Sequence, residues 1–464
     1  MYNFPVEKTT DIMYNEGSNT DRGVMKMDTN EQKQQDKREL RRKRRQRNQI
    51  VAYTVVGILI VVLAAGIALA VSKITSMSRN QEEQQNRLDE MLSGEETIQA
   101  PTEATETVEE LTDEQKLDTI INEAIIQNMP LEDKVAGLFI TTPESITGVS
   151  AAVQAGDGTK DALSKYPVGG IVYAARNIQS AEQLKQMIDN TKLYTSYPLF
   201  LAIDGEGSGT DAVAAAGLGT KVDTPQSIGA TGDTNNAYIA GTTVGTYLAE
   251  LGFNVDFAPS VDLSIVDGNA AGSSSYGSEA DTVASFASYM QAGLQEQKVT
   301  ACIGQFPGIG STTQKTKDGL ASTDRSAEDF RANEFAAFQT CIDNGMTKMI
   351  TVSNMAAPSL TGDNTPCTLS SAVVTDILRN ELNFRGVIVS GAMNEKAISD
   401  YYGADEAAVM ALRAGCDMIY APENFETAYN GVLEAVQNGT ISEERINDSL
   451  RRIYRIKYAD KLEQ

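Results

Sequence analysis

The chain has 464 residues, 41% hydrophobic and 22% charged, a balance that can bury a sizeable core and excludes disorder throughout. Its formal charge of -24 argues against nucleic acid as a partner, because a surface that repels phosphate gains nothing from counterion release. No histidine is present, which excludes Ser-His-Asp and Cys-His triads, histidine acids or bases, and histidine-ligated metals.

Residues 1 to 36 are polar without apolar periodicity and read as a disordered tail. Lys37 to Arg47, KRELRRKRRQR, is strongly basic. The uncharged run IVAYTVVGILIVVLAAGIALAV follows from Ile50 to Val71. About 20 apolar residues span a bilayer core, so the run predicts one transmembrane helix over 50–71. A secretory signal peptide is the alternative, but its apolar stretch is about 7–15 residues, and here a long hydrophilic segment comes first. With basic residues before the helix and acidic ones dominating after Gln81, the positive-inside rule makes residues 1–49 a cytoplasmic tail and the rest extracytoplasmic. The basic run then serves topology and anionic lipid rather than nucleic acid.

Residues 72–113 read as stalk and linker. Ile74, Met77, Gln81, Gln84, Leu88 and Met91 recur at helical steps, and Ser93 to Thr112 is a Glu- and Thr-rich spacer. From 114 to 464 apolar runs alternate with amphipathic stretches. The runs are Val135 to Ile140, Gly169 to Ala174, Leu199 to Asp204, Phe253 to Pro259, Thr300 to Phe306, Lys348 to Ser353, Gly386 to Gly391 and Cys416 to Ala421. The stretches AEQLKQMIDNTKLY, AEDFRANEFAAFQTCIDNG and SSAVVTDILRNEL suit crossover helices. Eight strands separated by helices predict an α/β fold, a (β/α)8 TIM-type barrel, with an open doubly wound sheet as the alternative. In such a barrel a site lies at the C-terminal strand ends.

Those ends read LAIDGEGSG (Leu201 to Gly209), FNVDFAPSVDL (Phe253 to Leu263), SSYG (Ser274 to Gly277), GQFPGIGS (Gly304 to Ser311), TVSNMAAP (Thr351 to Pro358), CTLSSAVVTDILRNELNFRGVIVSGAMNEKAI (Cys367 to Ile398) and AGCDMIYAP (Ala414 to Pro422). In order and spacing they resemble glycoside hydrolase family 3, most of all its single-domain β-N-acetylhexosaminidases. The resemblance implies an Asp nucleophile after strand seven in a V-x-S-D-A/D-x motif, where this chain has Gly391. It implies a His–Asp acid/base pair on the loop after strand five, where TTQKTKDG puts Lys315 and Lys317. Glycine has no attacking atom, and a lysine ammonium has no lone pair with which to accept a proton.

Further positions that the resemblance assigns to sugar contacts have also changed. The strand-three Arg falls at Gly209, the Lys-His pair of strand five at Gly304-Gln305, and a second His at Ile309. The strand-six His is Asn354, and the Arg before the Tyr-Gly pair is Ser274. Asp204, Glu206 and Asp262 persist as candidate substrate contacts, although Asp204 also suits a turn cap and Asp262 a hydrogen-bond network at the barrel mouth. Gly308 and Gly310 match the family loop and no phosphate-cradle pattern, so they read as structural.

A relocated mechanism would need two carboxyls about 5–5.5 Å apart for retention or about 6.5–9.5 Å for inversion, with Asp204, Glu206, Asp318 and Glu395 as candidates. Cys302, Cys341, Cys367 and Cys416 lack C-x-x-C spacing and read as free buried thiols, and no cofactor or metal is expected. Tryptophan is absent, leaving Tyr173, Tyr276 and Tyr420 as possible ring platforms. Three functions follow: a membrane-anchored pseudoenzyme that binds cell-wall glycan or a protein partner, an active hexosaminidase with relocated groups, or a scaffold that binds nothing.

Overall fold

Eight parallel strands close in sequence order into a barrel in the computed structural model, which describes residues 113–203 and 212–459. They are β1 Phe139–Thr141, β2 Gly170–Tyr173, β3 Phe200–Ile203, β4 Val255–Asp256, β5 Thr300–Phe306, β6 Met349–Val352, β7 Val387–Ala392 and β8 Met418–Tyr420. Ring closure is made by β1 on β8, with Phe139 opposite Ile419 and Ile140 opposite Tyr420. Nearly every strand residue is buried, as a parallel sheet covered on both faces requires. The closed ring settles the choice between the barrel and an open sheet. The expected tail, transmembrane helix and stalk, together with Asp204, Glu206 and Gly209, lie outside the described residues. Among the described residues no helix is long and apolar enough to cross a membrane.

Two helical readings change in detail. The first apolar run does not start a strand, because Val135 and Ala136 close the helix Leu131–Ala136, which Pro130 begins and Glu132 and Asp133 favour in its first turn. The stretch from Ala327 is two helices, Ala327–Ala332 and Glu334–Asp343, rather than one. Asn333 leaves helical geometry at φ -124° and ψ -75°, and its Nδ2 donates to the Asp329 carbonyl. The break turns Glu334 into the protein, where it is 1% exposed. By contrast the helix Ala181–Tyr194 has the predicted bounds, fixed by a Ser180–Gln183 capping box.

The two ends of the barrel differ in chemistry. At the N-terminal end, Asp417 enters β8 fully buried and receives Arg379 Nη2 at 2.7 Å, Arg452 Nη1 at 2.9 Å and Ser449 Oγ at 2.8 Å. Burial alone would raise this carboxyl, but the three surrounding guanidiniums of Arg379, Arg452 and Arg445 hold it below its ordinary value. Strand-end residues there secure the fold. The C-terminal end carries the cleft.

Candidate active site

A cleft of about 300 Å³ opens at the C-terminal ends of the strands. Its floor includes Cys302 and Gly304 of β5, Thr351 of β6 and Gly391 of β7, and its walls include the Lys315–Lys317 segment. Ladder register shifts between Ile303 and Phe306 in β5 and between Val389 and Ala392 in β7. Such irregularities re-aim side chains beside a site. Here they coincide with Gly304-Gln305 and Gly391, the positions read as family motif.

Around Gly391 the backbone is fixed. Its N–H donates to Thr368 Oγ1 at 3.1 Å, and Ser390 Oγ donates to the Gly391 carbonyl while accepting the Tyr420 N–H. A side chain at Gly391 would start 2.3 Å from Asn354 Oδ1 and 2.6 Å from its Cγ. Asn354 cannot swing away freely, because it is buried and its Nδ2 donates at 2.8 Å to both the Ala392 carbonyl and Glu395 Oε2. The space where a side chain at residue 391 would begin is therefore occupied by an amide. Gly304 repeats the pattern, since a Cβ there would lie 2.1 Å from Thr351 Oγ1. At both glycines the room for a side chain is taken by a neighbour on β6 or just beyond it.

Asp262 lines the cleft but is 3% exposed and bound to protein groups. Its Oδ1 accepts the Ile309 N–H at 2.8 Å, while Oδ2 accepts Ser260 Oγ at 2.8 Å and the Gln305 N–H at 3.3 Å. This carboxylate clamps the β4 loop to the β5 loop. Gly310 follows from the same closeness: a Cβ there would lie 1.5 Å from the Leu263 carbonyl oxygen, and Gly308 sits at φ +122°. Beneath the loop, Glu334 pairs with Arg325 at 2.7 Å. Burial nonetheless pushes its carboxyl up to about 7 against the pull of that guanidinium. Nothing in the residue pattern marks this buried acid, which reads as one more exposed glutamate on an amphipathic helix.

Lys315 and Lys317 are exposed at the cleft wall on either side of buried Thr316. The turn Thr316–Asp318 packs on the short helix Lys396–Ser399 after β7. Of the carboxylates considered for a relocated mechanism, Glu395 lines the cleft and Asp318 is exposed outside it. Tyr420 stacks on Phe257 with centroids 4.7 Å apart, and both rings line the cleft. Tyr173 and Tyr276 do not, for both are buried in the core. All four cysteines are buried. Among the described residues no group of three His, Cys, Asp or Glu could hold a metal.

The glycosyl hydrolase family 3 N-terminal domain matches residues 130–456. The chain is 27% identical over 324 residues to beta-hexosaminidase A of Pseudoalteromonas piscicida, covering 64% of this chain and 54% of that protein. It is 30% identical over 263 residues to beta-hexosaminidase of Nitrosomonas eutropha, covering 55% of this chain and 74% of that one. The chain thus spans only about half the length of the first relative. Among solved structures it is similar to a glycoside hydrolase family 3 beta-N-acetylglucosaminidase from a Paenibacillus species. The TM-score is 0.68 at 31% identity, covering 72% of this chain and 64% of that one.

Proposed function

Because the chain belongs to glycosyl hydrolase family 3, we propose that it is a saccharide-binding member whose hydrolytic step is impaired, held at the membrane by residues 50–71. The observation that carries this reading is the Asn354 amide seated where a side chain of residue 391 would start. Retaining hydrolysis needs a nucleophile at the anomeric carbon and a second group to move a proton. Glycine cannot supply the first, and the ammonium groups of Lys315 and Lys317 cannot act as a base. Binding is supported by the open cleft, its hydroxyl and amide lining, and the Tyr420 ring, all of which speak against a scaffold with a plugged mouth. The relatives' name, beta-hexosaminidase, directs the ligand class toward N-acetylhexosamine saccharides.

A second reading rests on Glu395, a carboxylate that lines the cleft beside Gly391 and could serve a relocated mechanism. The two readings part in one assay on the purified full chain. Release of p-nitrophenol from its N-acetyl-β-glucosaminide should stay at solvent background while N-acetylchitotetraose binds. Turnover above background that disappears in Glu395→Gln would replace the first reading by the second.

A further inference from the structure

We infer that the cleft selects an acidic saccharide, one carrying a carboxylate or phosphate, and that Lys315 and Lys317 grip the anionic group; the inference rests on the saccharide-binding reading above. Two floor positions, Gly391 where the nucleophile was expected and Gly304 where a sugar-contacting Lys was expected, are glycines backed by Asn354 and Thr351, which leaves little to hold a ring there. Cationic donors are concentrated instead on the wall. Neither lysine takes part in an ion pair or side-chain hydrogen bond among the described residues, so both ammonium groups are available to a ligand.

Their placement is fixed rather than incidental. Thr316 between them is buried, and the turn that follows is seated on the helix Lys396–Ser399, so the pair is presented by an anchored loop. Ser273, Ser274 and Gln314 also line the cleft and offer partners for sugar hydroxyls.

Among the described residues, the carboxylates that line the cleft are Asp262 and Glu395, and both are engaged by the protein. Asp262 accepts three hydrogen bonds from the protein, and Glu395 accepts the Asn354 amide. Asp318 is exposed beside Lys317 and does not line the cleft. The net charge of -24 belongs to the whole chain. Charges farther than a Debye length, about 10 Å at 0.1 M salt, are largely screened, so the groups lining the cleft set what an anion meets on entry, and among the described ones Lys315 and Lys317 are the exposed charges. Lysines act on phosphate or carboxylate as point charges, which suits either anion.

The test uses the full chain and calorimetric titration with three probes at low salt. These are neutral N-acetylchitotetraose, a tetrasaccharide alternating glucuronate with N-acetylglucosamine, and N-acetylglucosamine 6-phosphate alongside N-acetylglucosamine. At least one acidic probe should bind about tenfold or more tightly than its neutral counterpart, with the advantage shrinking as salt rises. Which acidic probe gains identifies the anion as carboxylate or phosphate. In Lys315→Gln/Lys317→Gln each acidic probe should bind within about twofold of its neutral counterpart. Equal affinities in the unmodified chain, or an advantage that survives the double substitution, overturn the inference and leave saccharide binding standing. No binding by any probe overturns both.

Discussion

Substituting Gly391 by alanine tests the interlock at the cleft floor. The new Cβ would lie 2.3, 2.6 and 2.8 Å from Asn354 Oδ1, Cγ and Nδ2, all well inside contact distance. Relief requires Asn354 to rotate and give up two hydrogen bonds of 2.8 Å, each worth about 1 kcal/mol. Added to an overpacking cost of about 1–3 kcal/mol, the loss should be about 3–5 kcal/mol. For a domain of this size that is a fall in melting temperature of about 4–7 °C, read by circular dichroism. In an Asn354→Ala background the obstacle is gone, so the same substitution should cost less than about 1 kcal/mol, a coupling of about 2 kcal/mol or more. Equal costs in the two backgrounds would refute the interlock. Gly391→Asp should likewise destabilise and release no p-nitrophenol, because a proton-transfer partner is still lacking; measurable turnover by that variant would expose an acid/base group outside Lys315 and Lys317.

At the opposite end, Asp417→Asn leaves three converging guanidiniums without their carboxylate and should lower stability by about 3–5 kcal/mol. Thermal unfolding reads the loss, and a change under 1 kcal/mol would contradict the proposed role. Glu334 has an ordinary value of 4.5 and a folded value near 7, so between those limits the folded chain keeps a proton that the unfolded chain has released. Its contribution is complete below pH 4.5 and is lost as pH rises through 7. The melting temperature of the unmodified chain relative to Glu334→Gln should therefore fall from pH 4 to 8, and a constant or rising difference would remove Glu334 as the cause. Tyr420→Ala removes a ring face from the cleft and should weaken N-acetylchitotetraose binding about fivefold, or about 1 kcal/mol; unchanged calorimetric affinity would take the ring out of the site.

The barrel was legible because buried parallel strands must be apolar along their whole length, and eight such runs stand out against amphipathic helices. Boundaries failed where a local signal competed with that pattern. Val135 and Ala136 are as apolar as strand residues, yet Pro130 and two acids begin a helix that contains them. Asn333 ended a helix inside a stretch whose periodicity continued across it. Each residue that differs from the pattern the resemblance implies was visible singly, as Gly304, Asn354 or Gly391. That Asn354 fills the space beside Gly391 was not, because the two are 37 positions apart and only strand pairing brings β6 against β7. Glu334 was hidden for a related reason: a carboxylate looks solvated in a sequence unless its burial is known. Asp204 and Glu206 lie outside the described residues.

The Asn354–Gly391 fit also gives the cleft floor a memory of order. An aspartate enters at 391 only by displacing the amide at 354, and removing that amide first strips Glu395 of a donor and opens a gap in the floor. Each single substitution carries a cost that the other partly relieves. Any laboratory route to a carboxylate at 391 should therefore begin at residue 354.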